Sequence, residues 1–278
     1  MLQTYQQLLK HTLVFYLCLE LVAPMHLELD ARINGGQLMN ESVPFQVSMQ
    51  MLRRGRWQHF CSGSIISEQH VLTAAHCVDK LRPENMTVLV GSNNWQSAGG
   101  MRHKLAAVHV HAKYASVPRI VNDIAVLRVS TKFALQRPEL SSVSLGGAER
   151  IGSKARVRLT GWGSTVAETG APQLPARLQV LNYQTISNEE CAQKGFRVTA
   201  SEICALATLG QGACVGDSGG PLILSSGKCQ LVGIVSYGTS TCAQGKPDVY
   251  TRVSSFLPYI KQILQQDAAL YKQALLQD

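Results

Sequence analysis

Short runs of β-branched and alternating apolar residues recur from residue 45 onward, and clusters of Gly, Pro, Asn and Ser separate them. Strands at such spacing, without helical patterns between them, are typical of antiparallel barrels or a sandwich. Only 16% of the residues are charged and 6% are aromatic, which disfavours a strongly amphipathic helical architecture. The chain is therefore predicted to be all-β. The predicted strands are Phe45–Met51, Val71–Ala74, Thr87–Val90, Ala106–Val110, Ile124–Val129, Arg156–Thr160, Gln179–Tyr183, Leu222–Leu224, Leu231–Ser236 and Val249–Val253.

One segment near the C-terminus departs from this pattern. Between Ser254 and Gln265, apolar residues recur at helical spacing, and Ser254 can cap the start of a helix. We therefore expect a C-terminal α-helix that packs through one apolar face. Residues 267–278 contain few turn signals and could extend this helix or fray.

The N-terminus and the cysteines indicate an oxidising compartment. Leu13–Ala23 is an apolar run preceded by Lys10 and interrupted by Glu20, and its length suits a signal-peptide core better than a membrane span. We predict a signal peptide over residues 1–23, with a short buried or interfacial segment as the alternative, and a secreted product. None of the eight cysteines stands in a C-x-x-C pair, so disulfides are expected rather than a zinc ribbon or a thioredoxin-type site.

The formal net charge of +8 raises the possibility of anionic partners. The densest basic run, Arg53–Arg56, has no aromatic platform of the kind that nucleic-acid grooves use, so a solvated loop is expected. His109 and His111 alternate with valine and would face one side of a strand, but two ligands alone make a poor metal site. We expect an exposed strand face there, and no metal, cofactor, nucleic acid or membrane partner.

Three short motifs can carry chemistry together. A serine hydroxyl is a poor nucleophile at neutral pH, so acyl transfer needs an adjacent base, and that base needs a partner that fixes its tautomer. Each motif alone is weak evidence, but their joint occurrence in this order and context is highly specific. The candidate residues are His76 in Thr73–Cys77 (TAAHC), Asp123 in Asp123–Val126 (DIAV) and Ser218 in Gly216–Pro221 (GDSGGP).

At these motifs the chain resembles the chymotrypsin and trypsin family of serine peptidases, from Ile33 to about Leu264. The resemblance implies two six-stranded antiparallel β-barrels within residues 33–278, with a boundary near residues 137–150 and the active site in the cleft between them. His76 and Asp123 would come from the first barrel and Ser218 from the second, as a catalytic triad. Backbone N–H groups of Gly216 and Ser218 would form the oxyanion hole.

The resemblance also implies a zymogen. Residues 24–32 would form a short activation propeptide, and cleavage after Arg32 by a trypsin-like enzyme would free the α-amino group of Ile33. In this family that amine pairs with the aspartate just before the nucleophile, here Asp217. The chain carries Asn34 where the family commonly has valine, a change that leaves the amine and side chain of Ile33 available.

The expected specificity pocket departs from trypsin. By resemblance, Gly212 and Ala213 form its base, where trypsin-like members carry an aspartate at the first of these positions, and Ser236, Tyr237 and Gly238 pair with the substrate backbone. Asp248 replaces a glycine of the pocket wall. Three interpretations stay open: Asp248 binds a basic side chain, it hydrogen-bonds inward and leaves a broader pocket, or it is an outward-facing loop charge.

Family resemblance pairs six cysteines as Cys61 with Cys77, Cys191 with Cys204, and Cys214 with Cys242. Cys18 would leave with the signal peptide. Cys229 then has no family partner, which favours a buried free thiol over an intermolecular disulfide.

These residues together predict a monomeric, secreted serine endopeptidase that prefers to cleave after Lys or Arg, or has a broad preference. Its expected partners are protein or peptide substrates, an activating trypsin-like protease and protein inhibitors. A catalytically silent relative would be expected to lose a triad residue or Gly216, and this chain keeps all of them. A basic surface-binding protein rests on charge alone and would show strong salt dependence.

Overall fold

A computed structural model describes residues 35–97, 99–147, 151–166, 171–226 and 229–275. The predicted signal peptide and propeptide, with Cys18, Arg32 and Ile33, lie outside the described residues. The described residues form fourteen strands. In chain order these are β1 Gln37–Leu38, β2 Gln46–Arg53, β3 Arg56–Ile65, β4 His70–Thr73, β5 Met86–Val90, β6 Met101–Val110, β7 Ala125–Val129, β8 Ser144–Leu145, β9 Arg156–Gly161, β10 Gln179–Ile186, β11 Glu202–Leu206, β12 Pro221–Leu224, β13 Gln230–Tyr237 and β14 Asp248–Arg252.

The strands close into two antiparallel barrels. The first runs in the order β2-β3-β4-β7-β6-β5, and β5 pairs back to β2. The second runs β10-β11-β14-β13-β12-β9, and the pairing of β9 with β10 closes it. Two short strands add to the second barrel, β1 beside β10 and β8 parallel to β13. The predicted fold of two six-stranded barrels is confirmed.

Alternation along the strands explains how each barrel obtains its core. In β10, Leu181, Tyr183 and Thr185 are buried, whereas Asn182 and Gln184 between them are exposed. Because successive side chains of a strand point to opposite faces, such a strand has one side for the core and one for solvent. The strand predicted over Phe45–Met51 is present as β2, which begins one residue later and ends two residues later.

The structure contains several elements that the sequence did not predict. These are β1, β3, β8, β11 and a short helix, α1, over Asn188–Gln193. The side of β3 that contacts the Gly216 loop carries polar side chains such as His59 and Ser62, which are nevertheless buried. Polar side chains at core positions remove the apolar alternation by which a strand is recognised.

The C-terminal helix is longer than Ser254–Gln265 and starts differently. A 3₁₀ segment over Val253–Phe256 contains Ser254, which is therefore not the N-terminal cap, and helix α2 follows over Leu257–Leu275. The sequence left open whether residues beyond 267 extend the helix, and they do so as far as 275. No helix within the described ranges is both long and apolar enough to span a membrane.

Asp267 of α2 holds this helix against the first barrel. Its Oδ2 accepts hydrogen bonds from Nε2 of His70 at 3.0 Å and of His109 at 3.1 Å, and Arg128 Nε lies 3.3 Å from Oδ1 without hydrogen-bond geometry. The ring of His111 packs edge-on against α2 as well. The expected exposed strand face at His109 and His111 is therefore wrong, because α2 covers that face.

All three predicted disulfides are present: Cys61–Cys77, Cys191–Cys204 and Cys214–Cys242. Each closes a loop of the chain, which limits the conformations of the unfolded state. Cys229 belongs to none of the three and is half-buried beside a small apolar cavity of about 40 Å³.

Candidate active site

Strand pairing in the first barrel brings His76 and Asp123 together. Thr73 at the end of β4 lies opposite Ala125 at the start of β7. His76 stands three residues after Thr73, in a 3₁₀ turn over Ala75–Cys77, and Asp123 two residues before Ala125. The His76 Nδ1 atom lies 2.7 Å from Asp123 Oδ2, and the His76 backbone N–H donates to Oδ1 at 2.9 Å. The imidazole is thus fixed both by its ring and by its backbone.

Two residues of the second barrel hold Asp123 from the other side. The carboxylate is 2% exposed, and its Oδ2 also accepts a hydrogen bond from Ser236 Oγ at 2.5 Å. Thr251 Oγ1 donates to the Asp123 backbone carbonyl at 2.7 Å. An acceptor oxygen beside Nδ1 keeps the proton on that nitrogen, so Nε2 of His76 can act as a base.

Ser218 lies in a tight loop between the two barrels. Its backbone carbonyl accepts a hydrogen bond from Ser62 N at 2.7 Å, and Gly219 N donates to Val235 O at 2.9 Å. Gly219 has φ +78°, and a Cβ there would overlap Thr73 Oγ1, so only glycine fits beside the strand that leads to His76. The described residues show no hydrogen bond from Ser218 Oγ to His76, as is common before a substrate binds.

Gly216 shapes the loop in front of Ser218. It has φ +104°, and a Cβ there would stand 2.9 Å from Leu174 Cδ2 and 3.2 Å from the Trp162 carbonyl oxygen. Within the described part of the chain, the backbone N–H groups of Gly216 and Ser218 have no acceptor. They are therefore free to bind an oxyanion.

His59 supports this loop from β3, and the sequence analysis missed it. Its Nε2 lies 2.9 Å from the Gly216 carbonyl oxygen, and its Nδ1 lies 2.8 Å from Ser48 Oγ. Burial lowers the pKa of His59 to about 4, so the ring is neutral at physiological pH. Since a carbonyl only accepts, Nε2 carries the proton and Nδ1 accepts from Ser48. No local motif marks this histidine, because both partners are distant or unremarkable in sequence.

Asp217 points away from the substrate side into the protein. It is fully buried, with Oδ1 accepting from Gly163 N at 2.7 Å and Oδ2 from Cys214 N at 3.0 Å. Burial raises its pKa to about 7, although these two hydrogen bonds oppose the shift. A buried carboxylate with this environment would be stabilised in its charged form by a cationic partner.

Asp248 lies inside the expected pocket. It is 8% exposed, and its Oδ2 accepts from Tyr183 Oη at 2.6 Å and from Ala213 N at 2.9 Å. A Cβ on Gly212 would stand 3.6 Å from Oδ2, and one on Gly238 would stand 2.7 Å from Oδ1. The carboxylate thus reaches from the expected base of the pocket to its wall. An outward-facing loop charge does not fit this burial.

The two oxygens of Asp248 have different environments. Oδ2 takes both hydrogen bonds from the protein, whereas Oδ1 has none from the described residues. Burial raises the pKa of Asp248 to about 6, while the bonds from Tyr183 and Ala213 act in the opposite direction. Tyr183 was not identified from the sequence, because it lies 65 residues from its partner.

The segment that was expected to pair with substrate has an available edge. Val235 N donates to Gly220 O, but beyond this point no described strand pairs with Ser236–Gly238 on that side. An extended peptide could add there as an antiparallel strand.

One group of possible metal ligands occurs beside the histidine. Cys61, His76 and Cys77 have ligand atoms close together, but both sulfurs belong to one disulfide. Thiolates are the species that bind zinc, so this group is not suited to hold it.

Comparisons with known proteins agree with this geometry. A family model described as Trypsin matches residues 32–260. The chain is 35% identical over 238 residues to trypsin delta of Drosophila erecta, covering 84% of this chain and 88% of that protein. It is 35% identical over 230 residues to chymotrypsin-2 of Vespa crabro, covering 83% of this chain and 98% of that protein. Trypsin Blo t 3 of Blomia tropicalis is 35% identical over 239 residues, with coverages of 82% and 84%.

The two barrels, together with these matches, identify the chain as a serine endopeptidase, a hydrolase of peptide bonds. More specifically, the chain belongs to the trypsin family.

Proposed function

We propose that His76, Asp123 and Ser218 are the catalytic triad of this endopeptidase. His76 Nε2 takes the proton of Ser218 Oγ as that oxygen attacks the scissile carbonyl, and later returns it to the leaving amine. Asp123 stabilises the imidazolium through its 2.7 Å contact with Nδ1. The N–H groups of Gly216 and Ser218 bind the oxyanion, and water then hydrolyses the acyl-enzyme.

The chain is made as a secreted zymogen that is activated by cleavage after Arg32. The support for activation is the burial of Asp217, whose charged form gains two backbone hydrogen bonds but no cationic side chain from the described residues. The new α-amino group of Ile33 would supply that cation and fix the loop from Gly216 to Ser218. Three disulfides and the apolar N-terminal run support secretion.

The active enzyme cleaves after Lys or Arg, with a broader preference when Asp248 is protonated. The observation that carries this proposal is the orientation of Asp248: Oδ2 is bound to Tyr183 and Ala213, while Oδ1 borders Gly238. A carboxylate oxygen without protein donors can pair with a basic side chain that enters the pocket. Gly212 at the base leaves room for neutral side chains as well.

The test begins with purified protein cleaved after Arg32 by trypsin and freed of the activator. The product is profiled on a peptide library beside two variants, Ser218→Ala and Asp248→Gly. We expect cleavage after Lys and Arg that requires Ser218 and that loses its basic preference in Asp248→Gly. An Arg32→Gln chain, which the activator cannot cut at this site, serves as the matched control and should stay inactive.

Two results would contradict parts of this proposal separately. Turnover that persists in Ser218→Ala would remove the triad assignment. Cleavage mainly after apolar residues, unchanged by Asp248→Gly, would remove the assignment of Asp248 and leave a chymotrypsin-like or elastase-like enzyme.

A further inference from the structure

A large groove runs over the outer surface of the second barrel. The proposed catalytic and substrate-binding residues do not line it, although Tyr183, which donates to Asp248, and Gln211, which precedes Gly212, do. Its volume is about 1200 Å³. Lys154, Arg156 and Arg158 line it from β9 and the turn before β9, and Asn182 and Gln184 line it from β10. Arg156 pairs with Gln184 and Arg158 with Asn182 in the strand register, so these side chains share one face of the sheet.

The three cations follow one another along β9 and the turn before it. Arg156 and Arg158 are alternate residues of β9 and lie about 6.6 Å apart along the strand, whereas Lys154 stands in the preceding turn with φ +65°. Lys154 and Arg156 are exposed, and Arg158 is half-buried. Of the described residues that line the groove, none is acidic. Its neutral polar members, which can donate hydrogen bonds, are Asn182, Gln184, Thr208, Gln211, Ser225 and Ser226.

Arg158 retains hydrogen-bonding capacity that the described residues do not use. Its Nε is buried and has no hydrogen-bond partner among the described residues. A guanidinium can donate two N–H groups side by side to two oxygens of one carboxylate or sulfate group.

We propose that this groove, which we call the β9–β10 groove, binds a linear sulfated polysaccharide. The net charge of +8 would draw a polyanion to the protein, and the row of cations would orient it along the strands. Each arginine can hold a sulfate or carboxylate through two N–H groups, and the amides and hydroxyls of the groove can bind sugar hydroxyls.

The structure favours a polysaccharide over two other polyanions. Single-stranded nucleic acid needs aromatic faces for base stacking, whereas Tyr183, the one aromatic residue described in the groove lining, is only 4% exposed. An acidic peptide that binds by strand addition needs an unpaired sheet edge. β9 is paired on both sides, with β10 and β12, and β10 lies between β9 and β11.

The experiment measures binding of size-defined heparin oligosaccharides to the purified full-length chain by calorimetry at several salt concentrations. The groove variant is Lys154→Ser/Arg156→Ser/Arg158→Ser. The matched control, Arg53→Ser/Arg54→Ser/Arg56→Ser, removes the same charge from the exposed hairpin between β2 and β3. We expect the groove variant to bind about tenfold more weakly or worse, since losing one charge-assisted contact has about that effect, and the control to stay within about twofold.

Salt dependence gives a second readout. Losing the groove contacts should reduce the slope of log K against log salt by about two in magnitude. Because Arg158 is half-buried, Lys154→Glu is also tested against Lys261→Glu, both of which change exposed side chains. Only Lys154→Glu should weaken binding, with the melting temperature unchanged in both.

Several outcomes would overturn the proposal. Equal losses in the groove and hairpin triple variants would show that binding follows net charge rather than this site. Unchanged binding in the groove variant would show that the groove is not used. Tighter groove-dependent binding of single-stranded DNA or polyglutamate than of heparin would replace the polysaccharide with that ligand class. None of these readouts depends on catalysis.

Discussion

The preference for basic residues should depend on pH in a way that the Asp248 carboxyl controls. Burial raises its pKa to about 6, so the group is charged above that pH and neutral below it. With this pKa, about nine-tenths of the molecules carry the charge at pH 7 and about one-tenth at pH 5. The ratio of kcat/KM for an arginine substrate to kcat/KM for a matched leucine substrate should therefore fall about tenfold from pH 7 to pH 5.

The ratio isolates Asp248 from the rest of the site. A pH effect on the catalytic step that both substrates share changes both rates equally, so it cancels in the ratio. The assay uses two fluorogenic peptides that differ only in the residue before the scissile bond, over pH 5 to 8.5. In Asp248→Asn, the ratio should be low and independent of pH.

Tyr183→Phe sharpens the prediction because it leaves Asp248 in place. The Tyr183 hydroxyl donates to Oδ2 at 2.6 Å and favours the charged form, so its removal should raise the pKa of Asp248 further. The fall in the ratio should then occur at higher pH, with the wild-type ratio recovered in the alkaline limit. If Tyr183→Phe only destabilised the fold, kcat/KM would fall for both substrates, and the pH at which their ratio falls would not change.

The same pKa has a consequence for stability. Since the folded pKa of Asp248 lies above the unfolded value of 3.8, the native state binds the proton more tightly, and stability falls as pH rises from about 4 through about 6. Asp248→Asn should therefore raise the free energy of unfolding by about 3 kcal/mol at pH 8 and by less than about 1 kcal/mol at pH 4.

The kinetic prediction has a clear contrary result. If the ratio of kcat/KM for the arginine and leucine substrates stays constant from pH 5 to 8 in the wild-type enzyme, Asp248 does not control the preference.

Two further predictions concern residues that support the site and the fold. Asp267→Asn should cost about 3 kcal/mol in urea unfolding at pH 7, because it leaves a buried cluster without its carboxylate, while Glu68→Gln, which breaks an exposed pair with Lys132, should cost less than about 0.5 kcal/mol. Similar small losses in both variants would contradict the anchoring role of Asp267. His59→Phe should lower kcat about tenfold or more with a smaller change in KM, because Gly216 loses its support, whereas His103→Phe, a similarly buried change elsewhere in the first barrel, should not. Equal effects on kcat would show that His59 acts only through barrel stability.

The sequence was most informative where chemistry is local. His76, Asp123 and Ser218 stand in short motifs next to strand ends, so their residue types and their neighbours carry the information together. The alternation of β10 likewise predicts its existence. Strand β3 was missed because several of its buried side chains are polar and are hydrogen-bonded to distant partners, as His59 is to Ser48 and Gly216.

Other features depend on topology that one sequence does not display. Tyr183 meets Asp248 because β11 lies between β10 and β14. The tail beyond residue 267 was ambiguous because the contacts of Asp267 with His70 and His109 join residues far apart in the sequence. Helix α1 is different, since the Ser187 and Glu190 capping box is a local signal that could have revealed it.

The contacts of Asp267 with His70 and His109 can form only late in synthesis of the chain. Asp267 follows His109 by 158 residues and His70 by 197, so the first barrel emerges long before its anchor does. During that interval its histidines lack their carboxylate, and the barrel face beneath α2 is uncovered. A chain truncated before α2 would contain every catalytic motif and still present this face to chaperones and proteases. Helix α2 can therefore cover this face of the first barrel only after the strands of both barrels have been synthesised.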